Sequence, residues 1–416
     1  MTETTLANLE PTAELATPPA GLAKDRIVDF DIYNPFTDSN DLHRTWMDLQ
    51  ASTDHKIVWT PHNGGHWIAL DSDLIVQVYA DHERFSSFNV LVPKDTAGEA
   101  YRFIPLSLNP PEHQPYRKIL NENLYSSSIK KLEPGIRELT AELIDGFVDN
   151  GQCNFVEEFA EQLPLRIFMQ LVDLDVEHLP KLKHLADEFT RPDGSMTPQE
   201  ATAEFIRFTT PILQERRGSD RSDLLTAITR GEVFGRPLTD EEALRMAIQV
   251  MVGGLDTVVN FMGFTVQLLA QSPDVQARIA ADRKLITPTV NEALRRLPLV
   301  ASGREIVHDT EVDGVTLRKG DMVISPTELV ALDPDMNDDP LRFDLDRKQR
   351  KHAIFGSGPH TCPGQFLARS EMKIFLEEWF DRIPSFELVP GQNLRHRGGI
   401  VGGVEPFMIR WPAQSG

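Results

Sequence analysis

The sequence FGSGPHTCPG, residues 355–364, stands directly before a strongly helical pattern, QFLARSEMKIFLEEW at 365–379. Gly356 and Gly358 let the backbone turn tightly before Cys362, and the helix that follows directs its free N–H groups back toward the sulfur. Such N–H groups stabilise a thiolate, so the pattern predicts a cysteine whose pKa is lowered. For Cys-Pro-Gly alone, a buried structural cysteine in a glycine-rich loop is the alternative interpretation.

A second pattern lies upstream of this loop, in PTVNEALRRLPL at 288–299. Thr287 and Pro288 are typical of a helix start, and Glu292 and Arg295 fall three residues apart on one face, where they can pair. On a surface helix such a pair contributes under about 1 kcal/mol. Taken alone, the spacing does not distinguish a buried pair from an exposed one.

A third pattern predicts one unusually long helix. Thr239 can cap it, Glu242 completes a capping box, and the apolar pattern continues to Ser272 before Pro273. Roughly 33 residues would span about 50 Å, and apolar residues on several sides place the helix in the core. We therefore expect it to cross the whole domain.

The sequence Gly253-Gly254-Leu255-Asp256-Thr257 interrupts this helix. Two glycines cost about 2 kcal/mol of helix propensity relative to alanine, and a buried aspartate costs more unless it is paired. A functional constraint would explain why the chain keeps them. A locally kinked helix with a solvated aspartate is the alternative.

Composition limits the class of protein. The 416 residues carry a formal charge of −21, which disfavours binding to nucleic acid or to an anionic membrane. Cys153 and Cys362 are the only cysteines, as expected in a reducing cytoplasm, and neither a secretory signal nor a membrane helix is expected. We expect a flexible extension at 1–25 and one domain at 26–416, mainly α with small β-sheets. Strands are predicted at Lys56–Trp59, His66–Leu70 and Met322–Ser325.

The full arrangement Phe-Gly-x-Gly-x-His-x-Cys-x-Gly resembles the haem-binding loop of the cytochrome P450 superfamily. The resemblance implies that haem b (iron protoporphyrin IX) binds with Cys362 as the axial iron ligand, Phe355 against the haem and His360 at a propionate. It implies a structural role for Glu292 and Arg295, tied to the segment at 343–347. It also implies that the glycines of the long helix admit dioxygen and that Asp256 and Thr257 deliver protons.

Further stretches resemble the camphor hydroxylase family, from about residue 30 to the C-terminus: NGGHWIA, AGEAYRFIP, NPPEH, QCNF, TRPDGSM, VGGLDTVVNF and GIVGGV. This likeness implies a single-domain, triangular fold with the long helix over the haem. It implies that Arg117 and Arg304 join His360 at the propionates, and that Lys183 and Arg191 pair with Asp256.

The same resemblance implies a substrate pocket. Tyr101 corresponds to a tyrosine that binds a substrate ketone, and apolar wall positions are filled by Val252, Val300, Ile400 and Val401. Three wall positions depart from the family: Leu91, Leu106 and Gln249. An unpaired buried amide costs roughly 1 to 3 kcal/mol, so Gln249 either faces the pocket, favouring a longer ketone such as an ionone, or turns aside to bind backbone or water.

Two departures affect ligands other than the substrate. Ser302 replaces an aspartate near a propionate, and Phe88 replaces a glutamate at a potassium site, which argues against a cation there.

The resemblance implies insertion of one atom of dioxygen into an unactivated C–H bond of a compact cyclic terpenoid ketone, either camphor-like or an ionone-type norisoprenoid. The chain carries no flavin or nicotinamide fingerprint, so electrons are expected from a [2Fe–2S] ferredoxin with its ferredoxin reductase. A basic run offers a docking face or is merely solvated: Arg347, Lys348, Arg350 and Lys351, with Arg117 and Lys118. A haem-based sensor without turnover remains the alternative, and the Asp256–Thr257 pair argues against it.

Overall fold

A computed structural model describes residues 15–36, 40–94, 102–192 and 194–412. About 49% of the structure is helical and its sheets are small, so the predicted fold class is confirmed. The α-helices of the described residues are α1 (Leu42–Ala51), α2 (Ser72–Ala80), α3 (His113–Leu124), α4 (Ser126–Ile129), α5 (Glu133–Asp145), α6 (Gln162–Leu171), α7 (Leu179–Thr190), α8 (Pro198–Arg217), α9 (Leu224–Thr229), α10 (Asp240–Gly254), α11 (Thr257–Ala270), α12 (Pro273–Ala281), α13 (Ile286–Arg296), α14 (Thr327–Ala331) and α15 (Gln365–Arg382).

The strands are β1 (Ile57–Thr60), β2 (His66–Ala69), β3 (Phe85–Ser86), β4 (Gln152–Asn154), β5 (Glu232–Val233), β6 (Arg236–Pro237), β7 (Ala301–Ile306), β8 (Thr310–Val312), β9 (Val315–Leu317), β10 (Met322–Pro326), β11 (Glu387–Leu388), β12 (His396–Arg397), β13 (Gly403–Val404) and β14 (Met408–Arg410). The largest sheet has the order β1-β2-β10-β7-β3. Its strands β1, β2 and β10 match the three predicted strands to within one residue at each end.

The predicted long helix is present as two segments. The capping box forms as expected, with Thr239 accepting from the N–H of Glu242, but α10 ends at Gly254 and α11 begins at Thr257. The predicted long helix is therefore present, with an interruption at Leu255 and Asp256. The reason is Asp256, whose side chain makes no helix-cap bond and is directed to tertiary partners described below. The helix that carries Glu292 likewise begins one residue earlier than predicted, at Ile286.

Two further expectations concern the N-terminal extension and the absence of a membrane helix. Within the proposed flexible extension, the N–H of Ala16 donates to the carbonyl of Pro61 at 2.9 Å, so packing against the body begins before residue 25. Residues 1–14 lie outside the described residues. By length and composition alone the stretch Asp240–Ala270 could cross a membrane, but most of it is buried inside the protein, as in a core helix.

An aromatic cluster fixes the helix that follows the cysteine loop. Phe375 and Trp379 on α15 contact Phe155 and Phe159, with ring centroids 4.9 to 5.8 Å apart. All four rings are fully buried. Aromatic pairs at these distances add about 0.5 to 1.5 kcal/mol each beyond their burial. This packing makes α15 a rigid base for the loop that precedes it.

Candidate active site

The cysteine loop has the tight backbone that its sequence predicts. Gly356 and Gly358 adopt positive φ angles of 72° and 68°, and a Cβ at Gly358 would lie 2.8 Å from the Cα of Ala80. The N–H of Cys362 donates to the carbonyl of Phe355 at 2.8 Å, which closes the loop. Larger residues would be strained at both glycines. The loop therefore presents Cys362 in a fixed position before α15.

The pKa of the Cys362 thiol differs from the expectation. Burial raises it above the ordinary value, although the N–H groups of Gly364 and Gln365 and the charge of Arg117 act to lower it. The predicted helix N-terminus is present, but desolvation of the sulfur outweighs it. A metal bound to the sulfur would stabilise the thiolate.

Two arginines and two histidines lie close together behind the loop. Arg304 is 3% exposed, and within the described part of the chain its guanidinium donates to Ser302 Oγ and the carbonyl of Gly303, at 3.1 and 2.7 Å. Arg117 donates to Asn121 Oδ1 at 2.8 Å and to the carbonyl of Thr361. Ser302 thus accepts from Arg304 at the position where the camphor hydroxylase family has an aspartate.

His360 belongs to the same cluster. Burial and the nearby charges of Arg304, His113 and Arg117 lower the pKa of His360 to about 2, and its Nε2 lies 2.9 Å from Ser87 Oγ. No carboxylate is paired with this cluster among residues 15–36, 40–94, 102–192 and 194–412. Buried cations require anionic partners. The two propionates of haem fit this requirement, with Arg117, Arg304 and His360 as the groups that would hold them.

His113 is a member of the cluster that the sequence reasoning missed. Its ring lies 4.4 Å from that of His360, centroid to centroid, and it is 2% exposed. Neither of its ring nitrogens has a hydrogen-bond partner within the described part of the chain. The available signal was its position four residues before Arg117, which puts both side chains on one face of α3.

Glu292 and Arg295 form a fully buried ion pair on α13. Arg295 donates to Glu292 Oε1 at 2.7 Å and to the carbonyls of Pro340 and Arg342. The N–H of Asp344 and the side chain of Arg347 donate to the same carboxylate oxygen, each at 3.1 Å. The pair therefore ties α13 to the segment at 340–347, as predicted for 343–347. The cluster is structural, since it satisfies backbone carbonyls rather than a ligand.

Arg350 is an unexpected third guanidinium at this carboxylate, 3.1 Å from Glu292 Oε2. Arg347 and Arg350 are therefore half-buried partners of Glu292 and not free cations of the proposed basic face. The reason is that a buried carboxylate is stable only when it is paired with nearby cations. Lys118, Lys348 and Lys351 are exposed and remain as the surface part of that face.

Asp256 lies at the break between α10 and α11 and is 1% exposed. Its Oδ2 accepts from Arg191 Nη1 at 2.8 Å, and its Oδ1 accepts from Arg191 Nη2 and, at 2.8 Å, from Asn260 Nδ2. Lys183 Nζ is 3.9 Å away. Burial alone would raise the pKa of Asp256, but the Arg191 guanidinium holds it below its ordinary value. The carboxylate is therefore ionised, and it is held by hydrogen bonds from both Arg191 and Asn260.

The neighbours of Asp256 connect it to the far side of the pocket. Arg191 Nη1 also donates to the carbonyl of Val401 at 2.9 Å, and Asn260 Oδ1 accepts from the N–H of Val404 at 3.1 Å. Asn260 was not identified from the sequence, although it lies one helical turn after Asp256. Any movement of Asp256 is thus coupled to the turn that carries Val401.

The two glycines before Asp256 have different surroundings. A Cβ at Gly254 would lie 2.4 Å from the ring of Phe168, whereas a Cβ at Gly253 would meet no described protein atom within 4 Å. Gly254 is therefore required for packing of α10 against Phe168. Gly253 is not, so its backbone is accessible to a ligand. The hydroxyl of Thr257, at the start of α11, makes no hydrogen bond with the residues that the structure describes.

Several of the predicted wall residues come together. Val300 and Val401 form an antiparallel bridge, and the N–H of Ala301 donates to the carbonyl of Ile400 at 2.9 Å. Val252 lies on α10, one residue before Gly253, and is partly buried, as are Leu91 and Leu106.

Gln249 bonds the backbone of Leu106. Tyr101 lies outside the described residues. Phe88 is covered by the Arg102 guanidinium, 3.2 Å from its ring centroid.

Comparison with known proteins agrees with this geometry. Residues 180–393 match the family model "Cytochrome P450". The crystal structure of CYP101J2 shares 51% identity and a TM-score of 0.89, covering 96% of this chain and 100% of that one. The crystal structure of CYP101C1 shares 37% identity and a TM-score of 0.87, covering 95% and 100%.

A curated relative is also similar over most of its length. The probable cytochrome P450 127A1 of Sinorhizobium fredii is 31% identical over 349 residues, which are 83% of this chain and 84% of the relative. The two CYP101 structures place the chain close to the camphor hydroxylase family. The cysteine loop, the arginines and histidines behind it and these matches agree: the chain belongs to the cytochrome P450 family and is a haem b monooxygenase.

Proposed function

We propose that this enzyme inserts one atom of dioxygen into an unactivated C–H bond of a compact cyclic terpenoid ketone, of the camphor or ionone type. The observation that carries the proposal is the apolar wall at Val300, Ile400 and Val401, which is bonded through Arg191 to Asp256. Haem b bound through Cys362 would supply the activation of dioxygen. The protein supplies binding, orientation and protons.

Asp256 is proposed to control proton entry. Both of its carboxylate oxygens accept hydrogen bonds from Arg191, so the guanidinium opposes proton uptake as long as these bonds are held. The hydroxyl of Thr257, one residue on, would then donate or accept in the next transfer. This arrangement makes proton delivery conditional on the position of Arg191.

Substrate titration tests the class of ligand. Camphor, ionones and related cyclic ketones are added to the ferric protein, and the low-to-high-spin change in haem absorption is followed. We expect saturable shifts with at least one cyclic ketone. If none of the panel produces a shift, the terpenoid ketone proposal is wrong.

A Thr257→Ala variant tests the proton role. We expect NADH consumption to continue while oxygen is diverted to hydrogen peroxide, so that product formed per NADH falls severalfold. Thr265→Ala is the matched control, because Thr265 is buried on the same helix and its hydroxyl donates to the carbonyl of Phe261. An unchanged yield per NADH in Thr257→Ala would show that the hydroxyl has no part in proton delivery.

Electrons are proposed to come from a [2Fe–2S] ferredoxin and its reductase. The exposed lysines Lys118 and Lys351 would meet acidic groups of that partner. We expect Lys118→Glu with Lys351→Glu to slow reduction by ferredoxin at low salt, with less effect at high salt. Lys319→Glu, on the turn before β10, is the control. Equal reduction rates in both variants would contradict a docking face at these lysines.

A further inference from the structure

Gln249 lies on α10 one helical turn before Gly253. Its Oε1 accepts a hydrogen bond from the backbone N–H of Leu106 at 3.3 Å. Because a backbone N–H can only donate, this bond fixes which end of the amide faces Leu106. The other end of the group, Nε2, can then only donate. The sequence left open whether Gln249 faces the pocket or turns aside to bond backbone or water, and in the structure its oxygen bonds backbone.

The Nε2 group has no acceptor among the residues that the structure describes, and the side chain is only partly buried. Gln249 and Gly253 are four residues apart and share one face of the helix. A Cβ at Gly253 would meet no atom of the described residues within 4 Å. The amide N–H groups thus belong to the helix face that is accessible to a ligand.

The segment held by Gln249 is anchored at other points as well. Phe103 packs edge-on against Phe189 of α7 with ring centroids 5.4 Å apart, and the N–H of Ser107 donates to the carbonyl of Phe103 at 2.8 Å. Leu106 lies between these contacts. The bond from Gln249 therefore joins α10 to a segment that is already attached to α7, which keeps the amide in one orientation.

We propose that Gln249 determines substrate specificity, with its Nε2 donating to an acceptor oxygen of the substrate while its Oε1 holds the N–H of Leu106. The ligand class is a cyclic terpenoid bearing a ketone, ether or epoxide oxygen next to α10. This inference rests on the proposed function.

Two variants separate the two ends of the amide. Gln249→Glu at pH 8 keeps an oxygen for Leu106 but lacks the donor, and Gln249→Leu lacks both. Binding of a cyclic ketone and of the hydrocarbon with the same skeleton is measured by equilibrium dialysis with ferric holoenzyme. We expect both variants to lose about tenfold in ketone affinity, the value of one neutral hydrogen bond, with the hydrocarbon affinity of Gln249→Leu not reduced.

Limited proteolysis tests whether the Gln249 side chain holds the segment around Leu106. We expect cleavage near residues 102–108 to become faster in Gln249→Leu than in Gln249→Glu, since only the latter retains the bond to Leu106. If the wild-type protein binds the ketone and both variants keep its preference for ketone over hydrocarbon, the inference is overturned and the proposed function stands. If the wild-type protein binds neither compound, the proposed function fails and the inference fails with it.

Discussion

Replacing Arg191 with methionine would leave the buried carboxylate of Asp256 without its main partner. The side chains of Arg191 and Asp256 are 9% and 1% exposed. Removing one member of a buried pair costs about 3 to 5 kcal/mol, and the lower value is expected because Asn260 and Lys183 remain. For a chain of 416 residues, a loss of about 3 kcal/mol corresponds to a fall in Tm of about 3 °C.

The stability lost in Arg191→Met should depend on pH. In the wild-type protein the pKa of Asp256 is lowered, so its contribution to stability is present above the ordinary carboxyl pKa and is lost as pH falls. In Arg191→Met, burial instead raises the pKa, so the folded form takes up a proton. The free energy of unfolding of the variant should then fall with rising pH, by up to about 1.4 kcal/mol per pH unit.

Chemical denaturation of the holoenzyme between pH 5 and pH 8 measures this difference. Adding Asp256→Asn should restore most of the lost stability, since no buried charge remains. Arg221→Met is the matched control, because the Arg221–Asp173 pair is half exposed and its loss should cost under about 1 kcal/mol. A loss that is constant across this pH range, or that Asp256→Asn does not relieve, would refute the reasoning.

Three further predictions follow from individual contacts. Gly254→Ala should lower the free energy of unfolding by about 1 to 3 kcal/mol because its Cβ meets Phe168 at 2.4 Å, whereas Gly253→Ala should not lower it; equal thermal shifts in the two variants would contradict this. Glu328 is 1% exposed, and burial raises its pKa to about 7. In urea unfolding, Glu328→Gln should therefore be more stable than wild type by about 3 kcal/mol at pH 8 and equal to it at pH 4. The same difference at both pH values would argue against a buried titrating acid. His113→Ala should lose haem to apomyoglobin about tenfold faster than wild type, in proportion to one lost hydrogen bond, and an unchanged rate would remove His113 from the haem site.

Much of the architecture was readable from local sequence patterns. The positive-φ glycines of the cysteine loop, the capping box at Thr239 and the three strands depend on residues close together in the chain, and each is present at or within one residue of its predicted place. The pairing of Glu292 with Arg295 could also be predicted, because residues three positions apart on a helix lie on the same face. Its complete burial was not readable from that spacing.

The misjudged features depend on distant parts of the chain. Asp256 breaks the long helix because Arg191, 65 residues earlier, binds its side chain. Arg347 and Arg350 leave the surface because Glu292 binds both. His113 became recognisable as a site residue only when the fold placed it beside His360. No local propensity encodes these partners.

The sequence by itself determined the class of fold, the backbone of the cysteine loop and the positions of Asp256 and Thr257 shortly after two glycines, since glycine, capping and helical spacing act over a few residues. The tertiary structure decided which charges are buried and with whom they pair. It set the direction of the Cys362 pKa, because desolvation of the sulfur depends on everything packed around it. It also decided which end of the Gln249 amide meets Leu106, because only folding brings the two residues, 143 positions apart, within hydrogen-bonding distance.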